Sequence, residues 1–290
     1  MKEIVVVSGK GGTGKTSIAA FLAHALEGKK VLADCDVDAA NFELVLQPTR
    51  LKTNPFTSGF EPAVNLQECT QCGLCTTLCR FDAIKNGIIE DPLLCEGCGV
   101  CFHNCPSHAI SLTNKAAGEI YESATPYGSL IHADLGPAIE NSGKLVSRVR
   151  QEAKTLAQLQ SAQLMITDGP PGIGCPAIAA LTGASLVLAV TEPSVSGLHD
   201  LQRLAQLVRH FHLPFVICLN KCDLSAAQSD KVRNWCDSEK LPIIGEIPYH
   251  DAFRTAVRAG QTILQQSIDE GLRQSLSVLQ AGISSHLDNC

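Results

Sequence analysis

The chain has no run of lysine and arginine, and none of its apolar stretches approaches membrane-spanning length. A transmembrane helix needs about 20 consecutive apolar residues, so no span is expected. The apolar run at the N-terminus, Ile4 to Val7, is too short for the hydrophobic part of a secretory leader. The expected location is therefore cytoplasmic. A formal net charge of −6 with scattered cations leaves no electrostatic footprint for a phosphate backbone, so no nucleic-acid partner is expected. The last segment, 252–290, reads as helices of mixed charge without a basic face, and no membrane attachment is expected from it. Cys290 stands last, which excludes a prenylation box.

Reduced thiols are the rule in the cytoplasm, so the fourteen cysteines are read as metal ligands rather than disulfides. Eight fall in one block, and Cys35, Cys175, Cys218, Cys222, Cys236 and Cys290 are scattered. At 290 residues and 45% apolar content, the chain can hold one sizeable α/β domain plus a small insert.

What the chain does have begins at once. Residues 9–16 read GKGGTGKT, between the apolar run 4–7 and a helical segment at 17–26. This is the P-loop pattern in its required context of strand, loop and helix. Gly9, Gly11, Gly12, Thr13 and Gly14 let successive backbone N–H groups turn toward phosphates, Lys15 reaches the outer phosphates, and Thr16 faces Mg²⁺. A second apolar run, 31–33, ends in Asp34-Cys35-Asp36-Val37-Asp38. Acids at that end of a strand either meet a ligand on the sheet edge or cap the next helix.

Lys10, an extra lysine early in the loop, is the mark of the deviant P-loop of the MinD, ParA, Mrp and nitrogenase iron protein superfamily, which this stretch resembles. The resemblance implies that Lys10 reaches the partner's nucleotide in an ATP-sandwiched homodimer. It also implies that Asp36 lies in switch I and organises Mg²⁺ and the attacking water. Asp168-Gly169-Pro170-Pro171-Gly172, at the tip of the buried run 164–167, resembles switch II. There Asp168 can hold Mg²⁺ through water and Gly172 can offer its N–H to the γ-phosphate. Lys10, Lys15, Asp36 and Asp168 are the expected catalytic set.

Asn220-Lys221-Cys222-Asp223 reads like the base-recognition motif of GTPases, yet in the resembled superfamily the asparagine serves adenine. ATP is favoured on the strength of Lys10. Asp223 either meets the base or makes a structural turn, and Pro248 matches a position that packs near the base.

Between 59 and 114 the composition shifts toward cysteine. Cys69, Cys72, Cys75 and Cys79 repeat 26 positions on as Cys95, Cys98, Cys101 and Cys105, with Gly73 matched by Gly99 and Ala83-Ile84 by Ala109-Ile110. Zinc is one reading of each run alone, but the doubled spacing resembles that of a bacterial two-cluster ferredoxin. That resemblance implies two 4Fe-4S clusters, one on Cys69, Cys72, Cys75 and Cys105 and the other on Cys95, Cys98, Cys101 and Cys79. Cys175, seven residues after Asp168, either joins a third, intersubunit cluster or is a small buried residue. Ser225 with Gln228 has the spacing of a capping box.

The remaining chain alternates strands and helices, which implies a doubly wound, mostly parallel α/β sheet with an inserted small ferredoxin domain. The expected division is 1–58 and 115–290 for the ATPase, with 59–114 as the insert. The first functional expectation is an ATPase whose nucleotide-driven dimer closure gates electron delivery from two clusters to a redox partner. The alternatives are an Mrp-like iron–sulfur carrier serving apoproteins and a MinD-like positioning ATPase with structural clusters.

Overall fold

A computed structural model describes residues 1–37, 41–90, 92–136 and 142–288. Asp38 and Cys290 lie outside them. Strand β1 (Lys2–Ser8) is buried on both faces, and its Val5–Val7 run suits a pleated strand covered from two sides. Helix α1 (Lys15–Ala25) follows the P-loop, and β2 (Lys30–Asp34) returns to the sheet. Next come the short α2 (Phe42–Leu46), the long β3 (Thr49–Val64), α3 (Leu74–Leu78), β4 (Ile84–Lys85), β5 (Ile88–Ile89) and α4 (Val100–His103). A second long strand, β6 (Ile110–Thr125), leads into β7 (Gly128–Leu135) and α5 (Ser142–Leu159).

From there strands and helices alternate: β8 (Leu164–Pro171), α6 (Cys175–Leu181), β9 (Leu186–Thr191), α7 (Val195–His210), β10 (Phe215–Asn220), α8 (Ala226–Ser238) and β11 (Ile243–Ile247). Two helices, α9 (Asp251–Arg258) and α10 (Glu270–Asp288), close the described chain. The main sheet runs β11-β10-β9-β1-β8-β2-β7-β6-β3. Every pairing from β11 to β7 is parallel. The separate pair β4–β5 is antiparallel. Because β1 sits between β9 and β8, the P-loop opens at the centre of the sheet's carboxyl edge, where ligands of open α/β sheets bind.

Ile4, Val6, Leu32, Ile166 and Leu188 on the sheet pack with Phe21 and Leu22 of α1 and with Leu276, Leu279 and Ile283 of α10. Full burial of each such side chain stabilises by roughly 1.5–3 kcal/mol. A second anchor is ionic. Arg150 of α5 donates to both oxygens of Glu3 at 2.9 and 2.6 Å and to the carbonyls of Ala179 and Thr182 at 2.8 and 2.9 Å. It thereby satisfies the last carbonyls of α6 and neutralises a buried acid on β1.

The chain divides into two compact units. The larger is Met1–Asn54, Ile120–Asp134 and Ser142–Cys290; the smaller is Pro55–Glu119 with Leu135–Asn141. The expected insert, 59–114, falls within the first segment of the smaller unit. Both boundaries fall inside continuous strands, β3 and β6, where no change of composition marks them. One local expectation fails as well: Ser225 stands at the N-cap of α8 without a side-chain cap bond, so the capping box does not form. Instead its carbonyl accepts from Gln228 N–H at 3.1 Å.

Candidate nucleotide and cysteine sites

The P-loop is built from glycines with different tasks. A Cβ on Gly9 would lie 2.4 Å from Asp200 Cβ, so the close approach of α7 requires glycine there. Gly14 adopts φ +94°, and a Cβ there would meet the Asn220 amide nitrogen at 2.3 Å. Around Gly11, Gly12 and Gly172, by contrast, an added Cβ meets nothing within 4 Å. The Thr13 hydroxyl is buried without a hydrogen-bond partner. An orphaned donor beside open backbone is what a bound phosphate group would satisfy.

Lys15 is buried, and its ammonium lies 2.7 Å from Asp168 Oδ1 and 3.3 Å from Asp36 Oδ2. Burial opposes its charge, but Asp168 and Asp36 outweigh that effect and hold its pKa above the ordinary lysine value. Thr16 Oγ1 donates to Asp168 Oδ2 at 2.7 Å. Lys15, Thr16, Asp36 and Asp168 therefore meet at one point although the sequence spreads them over three strand ends. Two carboxylates and a hydroxyl are a fitting protein share for Mg²⁺, which takes its other ligands from phosphates and water.

Asp34 serves the loop instead. Its Oδ1 accepts from Asp36 N–H and its Oδ2 from Phe42 N–H, both at 3.1 Å, so it clasps the start of α2. Burial, reinforced by the charge of Asp168, pushes its pKa well above the usual carboxylate range.

Lys10 points to Glu192, 2.7 Å away at Oε1, and donates to Ser194 and Ser196 at 3.2 and 2.9 Å. Glu192 Oε2 accepts from Lys221 Nζ at 2.8 Å, and the same ammonium donates to Gly12 O at 2.8 Å. Burial raises the pKa of Glu192, yet the bonds from Lys10 and Lys221 more than offset this and lower it. Sequence reasoning missed Glu192. The only available signal was its place at the tip of β9, one sheet position from the P-loop.

A cavity of about 420 Å³, within the range of small-molecule sites, is lined by Gly14, Asn220, Pro248, Tyr249, Phe253 and Arg254 among others. Asn220 Nδ2 donates to Thr13 O at 2.7 Å, which leaves its amide oxygen to face a ligand. Asp223 takes the structural alternative: its Oδ1 accepts Tyr249 N–H at 2.6 Å and ties two loops.

In the smaller unit the sequence repeat is also a repeat of backbone. Left-handed conformations recur 26 positions apart at Gln71 and Gly97 (φ 55° and 62°), Gly73 and Gly99 (73° and 75°), and Asp82 and His108 (both 53°). Likewise Cys79 N–H bonds Thr76 O as Cys105 N–H bonds Phe102 O. Cys69, Cys72, Cys75 and Cys105 line one cavity together with Leu74, Gly87 and Ile110. In the other set, burial raises the Cys101 thiol and the nearby Cys95 and Cys98 add to it. Cys79 caps α3, which packs against α4, the helix that carries Cys101. Among the described residues no three His, Cys, Asp or Glu side chains converge closely enough for a single metal ion.

Cys175 is exposed at the start of α6, against the expectation of a buried residue. Its side chain borders Gly143 of α5.

The CobQ/CobB/MinD/ParA nucleotide binding domain matches residues 4–263. Among relatives, Uncharacterized protein MJ0578 of Methanocaldococcus jannaschii is 37% identical over 223 residues, 76% of this chain and 78% of that protein. Uncharacterized ATP-binding protein MJ0547 of the same organism is 25% identical across 96% of this chain and 86% of its own length. The septum site-determining protein MinD complexed with Mg-ADP from Pyrococcus horikoshii superposes with a TM-score of 0.61 at 19% identity, over 97% of this chain and 95% of that one. The Aquifex aeolicus MinC:MinD cell division protein complex gives 0.57 at 18% identity, over 98% and 96%.

Proposed function

The chain belongs to the CobQ/CobB/MinD/ParA nucleotide-binding family of P-loop ATPases, and from that premise we propose an ATPase that couples nucleotide-driven dimer closure to electron transfer by two 4Fe-4S clusters. The observation that carries the nucleotide half is the meeting of Lys15, Thr16, Asp36 and Asp168 beside the orphaned Thr13 hydroxyl. When the phosphates arrive, Lys15 exchanges the two carboxylates for phosphate oxygens. Thr16 and Asp36 are then free to hold Mg²⁺, and Asp168 and Asp36 orient the attacking water. Gly172, open on its Cβ side, lets its N–H approach the γ-phosphate. Lys10 leaves Glu192 for the nucleotide of a second copy.

Adenine is the favoured base for a geometric reason. The amide oxygen of Asn220 accepts from the exocyclic amino group of adenine and repels the carbonyl of guanine, while Asp223 is already engaged by Tyr249. The Mg-ADP complex of the Pyrococcus horikoshii MinD and the description of MJ0547 as an ATP-binding protein support the same assignment.

The cluster half rests on this chain's own cysteines. The cavity edged by Cys69, Cys72, Cys75 and Cys105 supports a crossed two-cluster arrangement, in which the fourth thiol of each run serves the opposite site. Cys79, Cys95, Cys98 and Cys101 would hold the second. Clusters so bound supply one-electron storage, and the thiolates with their surrounding apolar side chains set the potential. A second reading, a MinD-like positioning ATPase with structural clusters, is favoured by the likeness to the MinC:MinD complex. The proposed partners are a second copy of the chain and a redox protein. ATP hydrolysis, nucleotide-dependent mass and iron content, measured on anaerobically purified protein, test the proposal. An inactive, permanently monomeric or iron-free protein contradicts its respective part.

A further inference from the structure

Three polar residues lie where the fold has no evident need of them. His132 of β7 and Ser123 of β6 are fully buried, and His132 Nε2 is 2.9 Å from Ser123 Oγ. On the other side of the ring, Glu43 Oε2 approaches Nδ1 to 2.8 Å, yet that nitrogen lacks a properly directed hydrogen bond. The contact is at bonding distance but out of line, so a small rotation of α2 makes or breaks it. Burying such groups costs free energy unless they are well bonded, and an apolar trio would fill the same space without that cost.

Their position in the chain gives them a use. Glu43 is the second residue of α2, and the first, Phe42, gives its N–H to Asp34. Asp34 also accepts from Asp36, which touches Lys15, while Cys35 N–H bonds Asp168 O at 2.8 Å. A chain of polar contacts thus runs from the phosphate-binding lysine through Asp34 to α2, then through Glu43 and His132 to Ser123. Strand β6 carries Ser123 and is continuous back to Ile110, five residues after Cys105. On the same sheet edge, β3 starts three residues after α2 and leads to Cys69.

We infer that Glu43, His132 and Ser123 form a relay that transmits the state of the nucleotide site to β6, with His132 as its positioning residue. The inference deepens the proposed coupling and rests on that reading. Nucleotide binding removes Lys15 from Asp36 and Asp168, the clasp at Asp34 readjusts, α2 turns, and Glu43 changes its alignment to His132. The strand leading from the cysteines then feels the change through Ser123. Coupling of this kind requires an element with two arrangements, the role this inference gives to α2.

Hydrogen–deuterium exchange on the full, anaerobically purified protein, with and without Mg-AMP-PNP, tests this. Wild type is expected to change exchange both at the P-loop, 9–16, and across 110–125. Glu43→Gln and His132→Asn are expected to keep the P-loop response, the dimerisation and the nucleotide-free exchange pattern, and to lose the response across 110–125. If His132→Asn fails to fold, Glu43→Gln decides alone, since its side chain is partly exposed. A P-loop response with none across 110–125 in wild type overturns the relay alone, as does an unchanged response in Glu43→Gln. No response at 9–16 removes the ATPase reading and the relay with it.

Discussion

Glu192 is shared between two lysines: its Oε1 lies 2.7 Å from Lys10 Nζ and its Oε2 2.8 Å from Lys221 Nζ. Lys10 must leave this carboxylate before it can serve a second copy. Lys10→Ala is therefore expected to abolish ATP-dependent dimerisation in light scattering after size exclusion. Glu192→Gln should lower the ATP concentration for half-dimerisation by about 2–5-fold, the scale of a partly exposed ion pair worth up to about 1 kcal/mol. A dimer that persists in Lys10→Ala removes the sandwich.

Lys15 neutralises two buried acids, so its loss should be felt without nucleotide. Lys15→Ala leaves Asp168 and Asp36 without a counter-charge and is expected to destabilise the nucleotide-free protein by about 3 kcal/mol. Urea unfolding measures this. A free energy equal to wild type would show that water, rather than Lys15, solvates the two acids.

Asp36→Ala should separate binding from chemistry. Loss of the group proposed to orient water and Mg²⁺ is expected to reduce the hydrolysis rate by about 100-fold or more while ATP-dependent dimerisation persists. A phosphate-release assay beside the dimerisation measurement reads both.

The proposed base choice rests on Asn220, with one oxygen of Asp223 engaged by Tyr249. Asp223→Ala is expected to keep the ATP-over-GTP preference and to cost about 1 kcal/mol of stability through the lost Tyr249 bond. Competition binding with the two nucleotides decides. A preference reversed by Asp223→Ala would return this residue to the base.

The positions of the P-loop, Asp36, Asp168, Asn220 and Pro248 were legible because each lies within a few residues of a strand's end. The cysteine repeat was legible because its spacing is local, and the recurring backbone angles at Gly73 and Gly99 follow it. Glu192, Glu43 and His132 were not, because their partners are set by the order of strands in the sheet. The ends of the smaller unit were hidden too, since β3 and β6 pass through them without a break. Cys175 was misjudged as buried, since a short helix start gives no periodicity from which to read exposure.

Burial lowers the pKa of His132 from 6.5 to about 4, and the charge of Arg50 acts in the same direction. The unfolded chain therefore binds the proton more readily than the folded one. Stability is full above pH 6.5 and falls as pH drops toward 4, by up to about 3 kcal/mol from this group. His132→Asn should flatten the loss of stability between pH 7 and pH 5 in denaturant titrations, and an unchanged slope would contradict a buried neutral ring.

The proposed coupling requires the nucleotide state to reach the two proposed 4Fe-4S clusters. An anaerobic redox titration followed by electron paramagnetic resonance, with and without Mg-AMP-PNP, tests it most directly. The account predicts about eight iron per chain from two four-iron clusters, and a midpoint potential or spectrum that shifts when nucleotide binds. Two clusters whose potentials and spectra are identical with and without bound nucleotide would contradict it.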